Sequence, residues 1–408
     1  MLERADGAHH LLLPAWPPAG VANGIVTYVS VIRDYLLRQG HQVSVLTDGM
    51  LHLSDGTTRP LHVPSRHGPF ATRLISRLDR RLGHHPFIAR RLAAEMRHAS
   101  MLVATDLIEM EESFGWSGSI QRSLDVPIVT RLHGPQCLKP KGADALIPAH
   151  HKVHRERAEG RAIQRATALT APTAAVLGAI RTRYRCTCPQ MRTIPNPVIA
   201  ADRDALWDIR RCEPEMILCV GRIDLVKGAD TLVAAFAQLL AIRPTAQLIL
   251  VGPDSGAQRA DGSVVRYLDL IRERTSPQAM ARITVHGLVT PAAIQALRRR
   301  AFVTVVASRW ENFPYAAVEA MAAGCPLIST RWPGADEIIE DGFTGWLTPI
   351  DDSAAMAARI AWVFDHPDAA AQTGLNAWRQ CSTTFSADAI GARMLDFYRD
   401  VLAARRQR

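Results

Sequence analysis

The stretch 305–327, V-V-A-S-R-W-E-N-F-P-Y-A-A-V-E-A-M-A-A-G-C-P-L, constrains the fold more than any other part of the chain. Phe302, Val303, Val305 and Val306 make a short β-branched run that predicts a strand. Pro314 suits a helix start and Gly324 a helix stop. The segment therefore reads as strand, loop and buried helix. A helix N-terminus gathers unpaired N–H groups and the positive end of the dipole, so the amides near Pro314, Tyr315 and Ala316 form a ready anion site. Phosphate is the natural guest. Ala316, Ala317, Val318, Ala320, Met321, Ala322 and Ala323 leave the helix apolar almost all round, which predicts burial, and Glu319 among them then needs a partner. Glu319 lies about 7.5 Å of rise beyond the helix start, close to the span from a nucleotide's phosphate to its ribose, whose two hydroxyls could satisfy one carboxylate. The opposing reading puts Glu319 on a narrow solvent strip and makes Glu311 a surface loop acid.

Glu311 and Glu319 stand eight positions apart. With that spacing the stretch resembles the family 4 glycosyltransferases of the GT-B fold, whose pattern runs Glu-Gly-Phe, five residues, then Glu-Ala-Met-Ala-x-Gly-x-Pro. Here Glu311-Asn312-Phe313 opens it, and Glu319-Ala320-Met321-Ala322-Ala323-Gly324-Cys325-Pro326 closes it. Asn312 replaces the usual glycine; Asn tolerates left-handed backbone angles better than most residues, so the loop is still expected to form. The resemblance implies an α/β chain with two Rossmann-like, doubly wound domains facing each other across a cleft.

The chain's 408 residues, 48% hydrophobic and 21% charged, suffice for two domains with large cores. A net charge of +9 favours an anionic partner, whether nucleotide, anionic lipid or nucleic acid. Seven cysteines without CxxC spacing indicate neither a disulfide framework nor a zinc site, which fits a reducing cytoplasm. No apolar run reaches the roughly 20 residues of a membrane span, and 9–14 is too short for a signal sequence.

In chain order, 10–13 predicts a strand, 16–24 a loop, 25–39 a helix with Ile25, Val29, Ile32 and Leu36 on one face, and 42–47 a second strand. That βαβ unit places its loop where open α/β folds bind ligands. The resembled family carries two adjacent glycines there, touching donor phosphate and acceptor; Asn23-Gly24 takes their place. Over 69–98, seven arginines intersperse with apolar residues, and Leu74, Leu78 and Leu82 recur at helical spacing, which predicts a basic amphipathic helix in at least the first half. It serves either as a helix on its own sheet with a solvated basic face or as an attachment to an anionic membrane surface. Strands are expected over 101–105 and 126–132, the second ending at His133-Gly134-Pro135. A His ends this strand in the resembled family, near the reacting sugar. A helix over 158–165 and a strand over 168–171 follow, and Ile194-Pro195-Asn196-Pro197-Val198 resembles the stretch that closes the family's first domain. The expected domains are thus 1–197, joined by a terminal helix at 385–408, and 198–384. Asp202-Arg203-Asp204 formally spells the metal motif of another glycosyltransferase class, but it follows a linker rather than a strand and reads as solvated. No other cluster has metal spacing.

The second domain opens with a strand at 216–220, then Gly221-Arg222-Ile223-Asp224-Leu225-Val226-Lys227-Gly228, then a helix from Ala229. Two cations on a glycine-bounded loop suit a diphosphate, Arg giving a planar fork and Lys a point charge. The resemblance assigns the same role to Arg222 and Lys227. It also places the strand ending at His286 beside the base pocket, where that ring either borders the base or simply packs.

The resulting expectation is a retaining, metal-independent glycosyltransferase without a cofactor. It would move a sugar, expectedly a hexose, from a nucleotide-diphosphate sugar to an acceptor, expectedly a lipid-linked or surface-glycan precursor. Arg222, Lys227 and the helix start at Tyr315 and Ala316 would stabilise the departing diphosphate. Glu319 would hold the ribose, Glu311 would orient the sugar with Asn312 and Phe313 beside it, and His133 would contact the sugar. Residence is expected in the cytoplasm, peripheral at the inner membrane face. A sugar-nucleotide epimerase or hydrolase of the same fold is the alternative. Nucleic acid is set aside, because the 6% aromatic content gives no stacking strip and no recognition motif is present.

Overall fold

The computed structural model describes residues 10–14, 24–61 and 69–407. Two compact units divide these: the described residues within 1–139, 147–197 and 387–408 form the first, and 140–146 with 198–386 the second.

The first unit carries strands β1 (His10–Pro14), β2 (Gln42–Thr47), β3 (Met50–His52), β4 (Thr58–Pro60), β5 (Leu107–Glu111), β6 (Ile128–Arg131), β7 (Ala168–Ala171) and β8 (Gln190–Thr193). Their order across the sheet is β4-β3-β2-β1-β5-β6-β7-β8, with only β3 and β4 antiparallel to their neighbours. Helices α1 (Gly24–Arg38), α2 (Pro69–Leu82), α3 (Pro86–Val103), α4 (Trp116–Gln121), α5 (Ala149–Arg165) and α6 (Ala174–Tyr184) join them, and the chain returns to this unit at its end as α14 (Ala387–Arg406). Tyr28, Ile32 and Leu36 of α1 bury against Ile390, Met394 and Tyr398 of α14 over the sheet.

The second unit is an all-parallel sheet, β13-β10-β9-β14-β15-β16, built from β9 (Met216–Val220), β10 (Gln247–Val251), β13 (Ile283–His286), β14 (Val303–Val306), β15 (Leu327–Thr330) and β16 (Trp346–Thr348). A separate hairpin pairs β11 (Ala257–Gln258) with β12 (Val264–Val265). α7 (Ala229–Leu239) and α12 (Ser353–Asp365) cover one face through Leu232, Phe236, Met356 and Ile360, while α11 (Tyr315–Ala322) and α13 (Pro367–Thr384) share the other core. Central strands covered on both faces read as unbroken apolar runs, which is why Met216-Ile217-Leu218 and Val303-Thr304-Val305-Val306 are buried throughout. Three short helices, α8 (Tyr267–Arg272), α9 (Pro277–Met280) and α10 (Pro291–Arg300), complete the crossovers.

The expected strand at 101–105 is instead the end of α3 and the turn after it. Met101 and Leu102 are exposed on that helix, Ala104 turns the chain at φ 47°, and the strand lies at Leu107–Glu111. Its glutamates disguise it in the sequence. Helix α5 begins at Ala149, nine residues ahead of the expected start at 158, because its first turns are polar and exposed. Pro314 caps α11 rather than opening it.

Candidate functional site

In the second unit the strand order reverses at β9, from which the parallel strands build toward one edge through β10 and toward the other through β14. Open α/β sheets bind ligands outside the carboxyl ends of the strands at such a switch point. The loop after β9 and the loop after β14 both emerge there.

Gly228 holds φ 65°, and a Cβ at that position would stand 1.9 Å from the Ala307 carbonyl oxygen. Only glycine combines that angle with so close an approach, so the first loop lies directly against the end of β14. Asp224 stiffens it: its carboxylate accepts from Lys227 N at 2.8 Å and pairs with the Arg222 guanidinium at 3.1 Å. Arg309 ties the second loop to the first. Its backbone N–H donates to the Val226 carbonyl at 2.8 Å, and its guanidinium forks onto both oxygens of Asp230 at 2.8 Å and reaches Asp351 at 2.7 Å. Burial opposes its charge, yet Asp230 and Asp351 outweigh that and hold its pKa above the ordinary guanidinium value. These ties bring Lys227 Nζ to 2.7 Å from Glu311 Oε1, which also accepts from Ser308 Oγ at 2.6 Å. Glu311 is 6% exposed and is no ordinary surface acid. Arg222 is about half exposed, Asn312 is buried, and Phe313 packs its ring near Tyr315 and Phe385.

The N-cap residue of α11, Pro314, makes no side-chain cap hydrogen bond. Tyr315, Ala316 and Glu319 share its half-exposed strip, while the rest of the helix is buried. Glu319 is therefore not a deeply buried acid: its side chain is 34% exposed, and Oε2 accepts from Arg298 Nη2 at 3.0 Å. Arg298, on α10, is 1% exposed, and its Nε and Nη1 find no hydrogen-bond partner among the described residues. The sequence reading overlooked it within Arg298-Arg299-Arg300, a run that looks like an ordinary basic helix end. The available signal is spacing, since Arg298 falls on the stripe shared by Ile294, Leu297 and Ala301. His286 ends the edge strand β13, half-buried, its carbonyl accepting from Gly252 N at 2.9 Å.

In the first unit Gly24 opens α1, and Asn23 lies outside the described residues. His133 follows β6, its ring edge-on to Tyr28 at 5.1 Å. Burial, then the nearby Arg131 charge, hold its pKa well below the usual imidazole value, which favours the neutral ring. Its backbone N–H donates to Glu112 Oε2 at 2.7 Å, and that of Gly134 to Glu112 Oε1 at 2.9 Å. Glu112 directly follows the misplaced strand and was missed with it. Glu109, Glu111 and Glu159 are buried nearby. Burial pushes Glu109 and Glu111 above the carboxylate range, with Glu112 adding to the effect on Glu111.

Among the described residues no group of three or more His, Cys, Asp or Glu is arranged to hold a metal ion. Asp202 and Asp204 are exposed around a single 3-10 turn, Arg203–Ala205.

One family model, described as Glycosyl transferases group 1, matches residues 209–380, and another, described as Glycosyltransferase Family 4, matches 22–201. The chain belongs to the family 4 glycosyltransferases. This glycosyltransferase is 24% identical to the glycogen synthase of Mycobacterium tuberculosis, over 97% of this chain and 95% of that protein. It is 29% identical to the D-inositol 3-phosphate glycosyltransferase of Nocardiopsis dassonvillei, over 85% and 84% of the two chains. Solved structures share its GT-B fold. A sucrose-phosphate synthase from Thermosynechococcus elongatus superposes with TM-score 0.75 at 22% identity, covering 97% of this chain and all of the other. The Anabaena HepE protein in complex with UDP-glucose gives 0.67 at 18% identity, covering 96% and 100%.

Proposed function

We propose that this enzyme transfers a sugar, with retention of anomeric configuration, from a nucleotide-diphosphate sugar held by the second unit. The observation that carries the reading is the meeting of Lys227 and Glu311 at 2.7 Å on two loops that flank the switch point, beside the N-terminus of α11. Arg222, Lys227 and the α11 amides are the groups for a diphosphate, where fixed positive charge stabilises the leaving group as it departs. Glu319 takes the ribose hydroxyls, Glu311 orients the sugar, and His133 is the first unit's candidate for contact with it. A neutral imidazole beside the sugar would offer a hydrogen bond without adding charge. Electrostatic stabilisation by these groups would make the chemistry independent of a metal. Retention rests on membership of the family, and the UDP-glucose complex of the Anabaena relative makes uridine nucleotides the first to try.

A lipid-linked or surface-glycan acceptor is the reading favoured by α2. Leu74 and Leu78 are 60% and 45% exposed, with Arg73, Arg77, Arg80 and Arg81 exposed around them. Inward, Asp79 is buried and accepts from Phe87 N at 2.9 Å. An outward strip of leucines edged by arginines suits the anionic inner face of a membrane. No helix among the described residues is long and apolar enough to cross one.

The decisive experiment is a thermal-shift panel of nucleoside diphosphates and nucleotide sugars. A ligand at 100 times its dissociation constant adds about 2.7 kcal/mol, so one base should stand out. If no member of the panel moves the transition, the donor site is misassigned. Nucleotide release that ignores every added acceptor would point to a hydrolase.

A further inference from the structure

We propose that Glu112 is a positioning residue for His133, its buried carboxylate clamping the backbone after β6 and so fixing where the imidazole stands. The inference rests on the reading of His133 as a sugar contact only for its catalytic consequence; the clamp itself is a matter of geometry.

Glu112 is fully buried, and a carboxylate taken out of water is costly unless its lone pairs are met. Amides meet them here. One oxygen accepts from His133 N and the other from Gly134 N, so a single carboxylate spans two consecutive peptide groups. Each bond is short, at 2.7 and 2.9 Å, and together they take up both oxygens of the one buried side chain.

A second buried acid holds the turn's far end. Glu159, on α5, accepts from Gln136 N at 2.7 Å, from Phe114 N at 3.1 Å and from Arg155 Nε at 2.6 Å. Since Phe114 lies two residues beyond Glu112, the two carboxylates close a ring: Glu112 grips 133 and 134, Glu159 grips 136, and Glu159 also grips the segment carrying Glu112. That segment cannot drift. Gly115 holds φ 69°, and a Cβ there would stand 2.3 Å from the Ala158 carbonyl oxygen, so the chain is pressed against α5. Above the clamp the imidazole leans edge-on against Tyr28, whose ring in turn carries the Arg131 guanidinium 4.2 Å from its centre. Backbone and ring of His133 are thus each fixed by a separate contact. A turn needed only for folding could be closed by backbone groups alone; two acids placed near each other within a buried region make sense where the position of the residue they hold matters.

The test uses the full-length protein with isotope-labelled histidine, read by carbon–proton NMR of the imidazole rings. His133→Ala identifies the His133 ring signals by their loss. Glu112→Gln keeps the side-chain shape but offers one oxygen to two N–H donors. In this variant the His133 ring protons are expected to lose the displacement imposed by the Tyr28 ring, while those of His52 and His366 stay in place. His133 signals that do not move in a folded Glu112→Gln protein overturn the proposal. Should that variant not fold, Glu112→Asp, which keeps both oxygens but withdraws them, is expected to shift the same signals partway, and unmoved signals there overturn the proposal equally. Nucleotide release from the donor found by the thermal-shift panel supplies the second readout. Turnover is expected to fall about 10- to 100-fold with the donor KM unchanged, and Glu112→Gln is expected to add nothing in a His133→Ala background. Additive losses there overturn a role exercised through His133. If His133→Ala itself leaves turnover intact, the assignment of His133 to the sugar fails, and the ring signals still decide the clamp.

Discussion

Lys227 Nζ and Glu311 Oε1 lie 2.7 Å apart, so a cation proposed to hold the diphosphate shares its charge with a carboxylate. A phosphate oxygen and Glu311 would compete for the same ammonium. Glu311→Gln is therefore expected to tighten binding of the free nucleoside diphosphate, by about 3- to 10-fold for a partly buried pair, and to lower turnover with the intact donor sharply. Calorimetry with the diphosphate, set beside steady-state rates, checks both halves. Weaker diphosphate binding in the variant would count against the competition.

Glu319 and Arg298 give a prediction in which stability and affinity part company. Removing one partner of a buried ion pair strands the other charge, and Arg298 is 1% exposed while a third of Glu319 faces solvent. Glu319→Ala is expected to cost about 1–3 kcal/mol of stability and to weaken nucleotide binding. Adding Arg298→Leu is expected to restore the melting temperature but not the affinity. Equal nucleotide affinity in the wild type and Glu319→Ala would remove Glu319 from the ribose.

Glu112 links stability to pH. Burial, then the charge of Glu159, raise its pKa from 4.5 to about 7, against the pull of the His133 and Gly134 amides. The folded chain thus retains a proton that the unfolded chain releases between those values, so stability falls as pH rises through the window and levels off above it. Glutamine at 112 does not titrate. The melting temperature of Glu112→Gln minus that of the wild type is expected to climb from about pH 5 to about pH 7 and then flatten. A difference that stays constant with pH sinks this expectation.

The outward face of α2 predicts vesicle binding that depends on lipid charge and salt. Each arginine near an anionic surface contributes about 1 kcal/mol, so replacing Arg73, Arg77, Arg80 and Arg81 with Gln is expected to abolish sedimentation with anionic vesicles. Nucleotide binding should be unchanged. Absence of vesicle binding by the wild type at low salt would make α2 a solvated helix and favour a soluble acceptor.

Activity is expected to survive EDTA. Loss of turnover restored by manganese or magnesium would bring Asp202 and Asp204 back as ligands.

Much of the second unit could be read from its residues because its central strands are short apolar runs followed by glycine, as in Met216–Val220 before Gly221 and Gln247–Val251 before Gly252. The first unit hid more. Leu-Ile-Glu-Met-Glu does not look like a buried strand, and Met101-Leu102-Val103 does, so helix and strand were exchanged and Glu112 was lost with them. Glu311 and Glu319 were found by their spacing, but their partners were not. Lys227 lies 84 residues from Glu311 and Arg298 lies 21 from Glu319, and no local pattern reports which distant cation folds onto which acid.

Gly228 lies so close to Ala307 that a methyl group would overlap a carbonyl oxygen. In a library of all substitutions, position 228 would be nearly barren, since every side chain begins with the atom that does not fit. Gly178, exposed on α6 with nothing within 4 Å of its would-be Cβ, would accept most replacements, and alanine there would raise helix stability by about 1 kcal/mol. Two glycines that look alike in the sequence would thus stand at opposite ends of the protein's tolerance to mutation, and the intolerant one marks where the loop bearing Lys227 has no room to drift.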